Sequence, residues 1–220
     1  MIIIAIDGPA AAGKGTLAKR LAATLNLPYL DTGLLYRATA KRVLEAGGDP
    51  ADNETATAAA NALTETDTSR PDLRDAETSK AASQVASIPA VRAALLSYQR
   101  TYANANGAVL DGRDIGTVIF PHADLKLFVT ASVEARAKRR QAEFIARGEN
   151  ISLAEVIADV AARDEADRTR TAAPLIPAED AILIDTTTLN ADEAFLRAME
   201  EVKKKQATFS REKVASKTVP

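Results

Sequence analysis

Short runs of apolar residues recur along the chain and are separated by longer segments with helical periodicity. Runs of this length are typical of strands that are buried on both faces. They predict a short strand at Tyr29–Leu30 and longer ones at Ile2–Ile6, Ala108–Leu110, Leu125–Val129 and Ala181–Ile184. Because buried strands that alternate with helices form parallel sheets, the pattern predicts an α/β fold with helices on both faces of one sheet.

Amphipathic periodicity between these runs predicts eight helices. A chain of 220 residues suits one α/β domain, so we expect a single domain over residues 1–205. The predicted helices are Lys14–Leu25, Leu34–Glu45, Glu54–Leu63, Asp75–Ala86, Ala90–Tyr102, Val133–Arg147, Leu153–Thr169 and Ala191–Lys205.

Residues 45–72 differ from the core pattern because they contain no Val, Ile, Phe, Tyr or Trp. This composition disfavours a strand. We therefore expect a mobile helical excursion from the core.

The C-terminal residues from 203 onward are polar, carry six basic residues against one acidic residue, Glu212, and lack a sustained apolar period. Such a composition cannot bury enough apolar surface to become ordered. The sequence predicts a frayed helix end followed by a disordered tail over residues 206–220.

Composition excludes several classes of function. The chain has 28 Lys and Arg against 30 Asp and Glu, which gives no sign of a surface for nucleic acid or an anionic membrane. It has no Cys and one His, His122, so thiolate zinc sites, disulfide frameworks and nucleophilic catalysis built on several such residues are excluded. No apolar run approaches the length of a membrane span, and we expect a cytoplasmic protein.

A glycine-rich segment, GPAAAGKGT, follows the first predicted strand and opens the first predicted helix. This context is that of a phosphate-binding P-loop, in which backbone amides and a helix N-terminus converge on an anion. Lys14 would reach the outer phosphates, and Gly8, Gly13 and Gly15 would let the backbone approach them closely. The hydroxyl that usually follows the lysine directly comes one residue later, at Thr16.

A P-loop alone does not decide whether the protein is an ATPase, a GTPase, a kinase or a switch protein. The guanine-reading NKxD sequence of GTPases does not occur, and 220 residues leave little room for the added domains of mechanical ATPases. Transfer to a small acceptor needs arginines around a second anionic site, because they align the acceptor and screen the repulsion between two charged substrates.

Residues that follow two of the predicted strands could form such a site. Thr32 would bind a phosphate or cap the next helix, and Arg37 lies one helical turn beyond Gly33. Asp111 follows the third strand and is the natural carboxylate to organise Mg²⁺ and its waters. Since ligands bind at the carboxyl ends of strands in open α/β sheets, these residues are expected near the P-loop.

Two further pairs are less distinctive on their own. Arg113 and Asp114 would face the acceptor, although surface loops often have this composition. Ser83 and Arg92 lie on either side of a helix break at Pro89 and could approach the same site.

Charges at helical spacing mark a segment near the C-terminal third of the chain. Arg163, Asp167 and Arg170 stand along one stripe of a helix, where the two arginines would repel unless an anion lay between them. A solvated helix with ion pairs explains much of this charge density. A helical hairpin here also suits a lid that closes over a triphosphate and excludes water, and we predict such a lid over residues 133–172.

Five segments together resemble the bacterial cytidylate kinases, a family of P-loop nucleoside monophosphate kinases. They are IDGPAAAGKGT, LDTGLLYR, KAASQVASIPAVRAAL, LDGRDIGTVIFP and RDEADRTRTAAPLIPAEDA, in the order of the family and at roughly its spacing. The resemblance spans nearly the whole chain. It implies a P-loop kinase core with a parallel five-stranded sheet, a helical lid and a monophosphate-binding part at 32–105. It also implies transfer of the γ-phosphoryl group of ATP to CMP or dCMP with Mg²⁺.

The residue pattern and the resemblance together give a set of expected catalytic residues and a set of residues expected to bind ATP. Lys14, Asp111, Arg113 and Arg163 are the expected catalytic residues, with Thr16 and, through water, Asp111 at the Mg²⁺ ion. The residues expected to bind ATP are Gly8, Pro9, Ala10, Ala11, Ala12, Gly13, Lys14, Gly15, Thr16, Arg139 and Arg140.

On the acceptor side, the resemblance implies three groups of residues. The cytosine edge is read by Ser83, Arg92 and Asp114, and the sugar and phosphate are reached by Asp167 and Arg170. The residues expected around the acceptor phosphate and nucleoside are Thr32, Tyr36, Arg37, Arg113 and Arg163.

The excursion over residues 45–72 departs from the family, in which many members carry a small three-stranded sheet in the monophosphate-binding part. We expect a shortened or helical version of this part. The expected protein is a monomer whose partners are ATP and CMP or dCMP. A kinase of the same fold that prefers UMP is the nearest alternative, and a nucleotide-dependent switch or regulatory ATPase is an alternative from another class.

Overall fold

The computed structural model describes residues 2–104 and 106–215, and within them five strands form one parallel sheet. The order across the sheet is β2-β3-β1-β4-β5, with β1 at the centre between β3 and β4. This confirms the predicted strands and the α/β class. The strands are β1 Ile3–Asp7, β2 Tyr29–Asp31, β3 Ala108–Gly112, β4 Leu125–Thr130 and β5 Ile182–Asp185.

All eight predicted helices are present, with ends that differ from the predicted ones by a few residues in most cases. The described residues also contain a short helix, α4, a 3-10 turn at Pro71–Arg74 and a π-helical turn at Ile115–Ile119, which the apolar pattern did not predict. The helices are α1 Lys14–Leu25, α2 Thr32–Glu45, α3 Asn53–Asn61, α4 Glu65–Thr68, α5 Ala76–Val85, α6 Pro89–Asn104, α7 Val133–Ala146, α8 Leu153–Thr169 and α9 Ala191–Ala215.

Alternate residues of β1 point into separate cores on the two faces of the sheet. Ile4 and Ile6 pack with α1 and α9, where Leu21 is fully buried. Ala5 belongs to the opposite core, together with Leu110 of β3. Because strand side chains alternate between faces, the apolar run at the start of the chain fills both cores and fixes β1 as the central strand.

The excursion over residues 45–72 is helical, as its composition predicts, and shows no strand. Asp52 accepts a hydrogen bond from the Thr55 amide at the start of α3, and a capping box of Thr64 and Asp67 starts α4. Ala56 of α3 is fully buried in a core shared by α2, α3, α5 and α6. Its small side chains let the helices approach closely without a sheet.

Helices α7 and α8 form a hairpin with a small apolar core of its own. Arg136 forms a bidentate ion pair with Asp164, at 2.8 and 2.5 Å, and donates a hydrogen bond to the Ala10 carbonyl oxygen at 3.3 Å. At the far end of α7, Arg147 donates to the Arg74 carbonyl oxygen at 3.2 Å. The helical lid thus contacts both the glycine-rich loop and the 3-10 turn.

Two predicted boundaries are wrong. Helix α9 continues past residue 205 to Ala215, since the sequence contains no Pro or Gly there to end it, so residues 206–215 are not a disordered tail. Residues 216–220 of the expected tail lie outside the described residues. Strand β3 continues to Gly112, so Asp111 lies within a buried strand and not after it. Within the described part of the chain, no helix combines the length and apolar character that crossing a bilayer requires.

Candidate active site

The loop between β1 and α1 has a conformation that requires glycine at two positions. At Gly8 φ is +143°, and a Cβ atom there would lie 1.9 Å from the carbonyl oxygen of Val129 in β4. At Gly13, which precedes α1, φ is +89°. The Lys14 ammonium group donates a hydrogen bond to the Pro9 carbonyl oxygen at 2.7 Å. Backbone amides, a helix N-terminus and one cation therefore meet at a single place.

Lys14 is buried, and its charge is only weakly favoured in the free protein. Burial, reinforced by the nearby Arg113 charge, lowers the pKa of Lys14 to about 7, although the carboxylates of Asp111 and Asp7 raise it. A ligand anion beside Lys14 would favour its charged form.

A cavity of about 320 Å³ opens beside this loop at the carboxyl end of the sheet. Its volume lies in the range of small-molecule sites, roughly 300–1,000 Å³. The cavity extends from the loop across the ends of β2 and β3 to α5 and the lid. All the predicted site residues line it except four, Gly8, Pro9, Ala12 and Arg139.

Two carboxylates lie where β2 and β3 end. Asp31 and Asp111 are register partners in the parallel pair, and Tyr29 donates a hydrogen bond to Asp111 Oδ2 at 3.2 Å. Burial, together with the Asp31 charge, raises the pKa of Asp111. The Thr32 hydroxyl donates to the Asp111 carbonyl oxygen at 2.8 Å. A Cβ atom at Gly15 would lie 3.3 Å from Asp111 Oδ2, so this carboxylate lies directly against the glycine-rich loop.

The charged stripe predicted on α8 faces the same cavity. Arg113 Nε donates to Asp167 Oδ2 at 2.7 Å, and Arg170 Nη1 lies 3.8 Å from Asp167 Oδ1. Burial raises the pKa of Asp167, but the charge and hydrogen bond of Arg113 outweigh it and hold the pKa below its usual value. Arg163 Nε is buried and has no hydrogen-bond partner. Helix α8 ends at Thr169, so Arg170 lies just beyond it.

A group of polar side chains, called the deeper wall below, lines the cavity between α2, α6 and the end of β3. The guanidinium group of Arg92 pairs with the Asp114 carboxylate and donates to the Ala86 carbonyl oxygen at 3.1 Å. It also lies 5.4 Å from the centre of the Tyr36 ring. Arg170 Nη2, 3.8 Å from Asp114 Oδ1, is buried without a hydrogen-bond partner. This wall offers donors and an acceptor in fixed positions.

Arg37 also lines the cavity, and hydrogen bonds to the rest of the protein hold its guanidinium group in place. Its Nη1 atom donates to the Leu73 carbonyl oxygen at 3.1 Å and to the Ser79 hydroxyl at 2.5 Å. Burial, together with the charge of Arg163, lowers the pKa of Arg37 to about 9. Burial and the charge of Arg113 lower the pKa of Arg163 to about 10. The arginines destabilise one another's charges, which is typical of a site for a highly charged anion.

A separate, less polar cavity of about 220 Å³ lies on the other side of the glycine-rich loop. Ala12, Val129 and Ala194 contribute to its lining. Arg139 lies here and not in the first cavity, and it donates to the Thr186 hydroxyl at 3.0 Å and to the Thr186 carbonyl oxygen at 2.5 Å. Arg140, its neighbour in sequence, lines the first cavity, so the two adjacent arginines face different cavities.

Several lining residues carried no predicted role. Lys19 follows Gly15 by one helical turn, and this spacing could have indicated it. Tyr29 belongs to the shortest predicted strand. Arg74, which follows the excursion, pairs with Asp31 at 2.6 Å, but no local sequence pattern marks this arginine. Only the tertiary fold brings Arg74 to the cavity.

We expect Arg163→Met to stabilise the ligand-free protein, because the substitution removes a cation that neighbouring arginines destabilise and whose Nε atom is unpaired. The expected increase in the free energy of unfolding is about 0.5–2 kcal/mol, measured by urea denaturation at low ionic strength.

Arg168→Met is the matched control, since Arg168 lies on the same helix but is exposed and paired with Glu165. Its effect should stay within about 0.5 kcal/mol. A loss of stability in Arg163→Met, with no loss in the control, would contradict the electrostatic argument.

Comparisons with known proteins agree with this geometry. The family model described as cytidylate kinase matches residues 4–204. A cytidylate kinase of Acidiphilium cryptum is 62% identical over 203 residues, covering 92% of this chain and 96% of that protein. One of Granulibacter bethesdensis is 57% identical over 204 residues, covering 93% and 98%.

Solved structures show the same fold at low sequence identity. A gluconokinase from Sinorhizobium meliloti is similar with a TM-score of 0.52 at 12% identity, covering 96% of this chain and 97% of its own. An uncharacterized protein from Eubacterium ventriosum gives a TM-score of 0.53 at 15% identity, covering 92% and 99%. With the match to the family model and these close relatives, the chain belongs to the cytidylate kinase family.

Proposed function

We propose that this protein transfers the γ-phosphoryl group of ATP to CMP or dCMP, giving ADP and CDP or dCDP. The observation that carries the proposal is one continuous cavity with a phosphate-binding loop at one end and the Arg92–Asp114 pair at the other. Arginines line the space between, where two charged phosphates would have to meet. The relatives named cytidylate kinase support the same acceptor.

On the donor side, the triphosphate of ATP would lie along the loop from Gly8 to Thr16. Lys14 would contact the outer phosphates, and Arg140 would approach them from the lid. The second cavity, which meets the loop at Gly13 and Thr16, would hold the adenosine part. Its less polar lining suits a nucleobase, and Arg139 at its edge would face the base.

On the acceptor side, Arg37, Arg113 and Arg163 would hold the phosphate of the monophosphate, with Thr32 at the start of α2. Arg37 is already oriented by the Leu73 carbonyl oxygen and Ser79.

The deeper wall suits cytosine. Ser83, Arg92 and Asp114 together offer donors for the ring nitrogen and carbonyl and an acceptor for the exocyclic amine, while Tyr36 supplies an apolar contact. Asp167 and Arg170 lie between this wall and the phosphate arginines and would reach the sugar.

The transfer needs no covalent enzyme intermediate. A phosphate oxygen of CMP would attack the γ-phosphorus, the bond to the oxygen that bridges the β and γ phosphates would break, and ADP would leave with that electron pair. Lys14, Arg113 and Arg163 would stabilise the charge on the transferred group and align the two oxygens. Positioning and electrostatic stabilisation supply most of the catalysis in such reactions.

One residue from the start of α1 and one from the end of β3 also suit Mg²⁺. The donor set is the exposed Thr16 hydroxyl and the Asp111 carboxylate, and among the described residues no cluster of three acidic or histidine ligands is present. Mg²⁺ usually takes one or two protein oxygens and completes its shell with phosphate and water, so this sparse set fits. Thr16 and, through water, Asp111 would hold the ion, which would supply positive charge to offset that of the phosphates.

A single chain supplies every residue named in the proposal. We therefore expect an active monomer, with the cytoplasm as its expected location.

An acceptor screen tests the proposal. We expect kcat/KM for CMP or dCMP to exceed that for UMP and AMP by about 100-fold or more, because the wrong base leaves polar groups of the deeper wall unpaired. Asp114→Asn should reduce the preference for CMP over UMP by about tenfold while ATP binding stays nearly unchanged.

Two results of this screen would overturn the assignment. A preference for UMP or AMP over both cytidine nucleotides would identify another acceptor. ATP hydrolysis without any acceptor, at a rate comparable to that with CMP, would instead indicate a regulatory ATPase.

Filling the second cavity tests the proposed place of the adenosine. Ala194→Phe should raise KM for ATP by about tenfold and leave KM for CMP nearly unchanged, because the added ring would occupy the space of the base. Leu196→Phe, at an exposed position of the same helix, is the control and should change neither constant. Equal increases in both Michaelis constants would place the adenosine elsewhere.

Binding of ATP should also take up protons in a pH-dependent way. Since the pKa of Lys14 is about 7 in the free protein, the lysine is mostly neutral at pH 8, and the triphosphate would restore its proton. Calorimetric titrations with ATP and a chelator, in buffers of different ionisation enthalpy, should give an uptake that approaches one proton at pH 8 and declines toward pH 6. An uptake that is the same at both pH values would contradict this shift.

A further inference from the structure

One buried carboxylate has no part in the proposed reaction. Asp7 is the last residue of β1 and comes directly before the glycine-rich loop, but it does not line either cavity. Its Oδ1 atom accepts a hydrogen bond from the Ile115 amide at 2.8 Å, and its Oδ2 atom accepts one from the Gly116 amide at 2.7 Å. Each carboxylate oxygen therefore accepts a hydrogen bond from one of two consecutive backbone amides.

The segment that Asp7 holds is the π-helical turn at Ile115–Ile119, which starts directly after Arg113 and Asp114. The first amides of a helical turn have no partner within the turn, and π-helical turns are rare and concentrate at functional sites. At Gly116 a Cβ atom would lie 3.3 Å from Asp7 Oδ2 and 3.0 Å from Lys126 Cδ, so the turn is packed tightly against the carboxylate. A shift of this turn would also displace the two residues before it.

Asp7 connects two parts of the site that the fold brings together from distant places in the chain. On one side it is bonded to Gly8, whose position is fixed by the approach of the Val129 carbonyl oxygen. On the other side it determines where the turn begins. Burial raises the pKa of Asp7 to about 6, even though both amide hydrogen bonds lower it. A buried carboxylate is thus retained at a position where a neutral side chain would be easier to accommodate.

We propose that Asp7 is a positioning residue that sets the place of Arg113 and Asp114 relative to the glycine-rich loop. The proposal rests on the proposed function, in which Arg113 holds the acceptor phosphate and Asp114 reads the base. Through these two residues Asp7 determines acceptor affinity and base discrimination, whereas the loop itself binds the donor.

Asp7→Asn tests this role with a side chain of the same size. An amide offers one acceptor oxygen, so its NH₂ group would face one of the two backbone amides and displace the turn. We expect KM for CMP to rise by about tenfold and the preference for CMP over UMP to fall by a similar factor. The Kd for ATP, measured by titration without an acceptor, should change much less than KM for CMP, because Asp7 acts on the loop only through the charge of Lys14, whose pKa it raises.

Asp124→Asn is the matched control, because Asp124 Oδ2 accepts a hydrogen bond from the Ile3 amide at 2.7 Å, at the other end of β1. The control should lose stability in urea denaturation but keep KM for CMP and the base preference of the wild-type protein. If Asp124→Asn changed KM for CMP as much as Asp7→Asn, the effect would be general destabilisation, and the proposal would be wrong.

Gly116→Ala provides a second variant that leaves the carboxylate intact, in case Asp7→Asn does not fold. Its Cβ atom would press on Asp7 and on the side chain of Lys126, and it should raise KM for CMP with little change in the Kd for ATP. Unchanged acceptor kinetics in both variants, or a parallel loss of ATP binding, would overturn the positioning role. If the wild-type protein phosphorylated no cytidine nucleotide, the proposed function would fail, whereas a wild-type preference for CMP that survives in both variants would refute only the role of Asp7.

Discussion

Repulsion among arginines in one partly desolvated cavity is the constraint on which the rest of this structure depends. Two like charges 4 Å apart at an effective dielectric constant of 20 repel by about 4 kcal/mol, so several guanidinium groups cannot share a small space without compensation. Asp114 and Asp167 supply part of it through their pairs with Arg92 and Arg113. Arg163 and Arg170 each keep a buried nitrogen without a hydrogen-bond partner, although Arg170 lies 3.8 Å from the carboxylates of both Asp114 and Asp167.

The sheet and the lid hold these charges in place against that repulsion. The parallel order β2-β3-β1 brings the carboxyl ends of three strands side by side, and the acidic residues at those ends lie close to the cations. The lid is held separately, because Arg136 ties α7 to Asp164 of α8 and to the Ala10 carbonyl oxygen. Helices α7 and α8 also share a small apolar core, so packing and ion pairs together hold the charged side chains of the lid.

Most of the fold could be predicted because strands that are buried on both faces consist of apolar runs. The glycine-rich loop could also be predicted, because its conformation requires glycine at particular positions. The same holds for Arg163 and Asp167, whose helical spacing brings them to one side of α8. The end of β3 was harder to predict, because a buried strand that includes Asp111 requires neighbours such as Tyr29 to accommodate the carboxylate. The spacing of charges does not show that Arg139 and Arg140 face different cavities, because Arg139 is held at the second cavity by its hydrogen bond to Thr186.

Local patterns also fail at the end of the excursion, for a different reason. The composition of residues 45–72 indicates helices, but the position of Arg74 depends on the 3-10 turn that follows and on a contact with Asp31 from β2. Likewise, nothing in the sequence around Asp7 indicates that its two oxygens accept hydrogen bonds from backbone amides more than 100 residues away. Contacts of this kind depend on tertiary structure, and a pattern of apolar and polar residues does not contain them.

The position of Gly15 bears on whether the phosphate-binding loop is a portable module. Its hydrogen atom faces Asp111 Oδ2, and any Cβ atom there would lie 3.3 Å from that oxygen and 3.7 Å from the Tyr29 hydroxyl. The loop sequence is therefore matched to side chains on β2 and β3, far away in the chain. A loop transplanted from a protein with serine or threonine at this position would place a Cβ atom 3.3 Å from Asp111 Oδ2, so the strand carboxylate would have to shift. Exchange of such loops between enzymes would thus have to include the strand ends that face them.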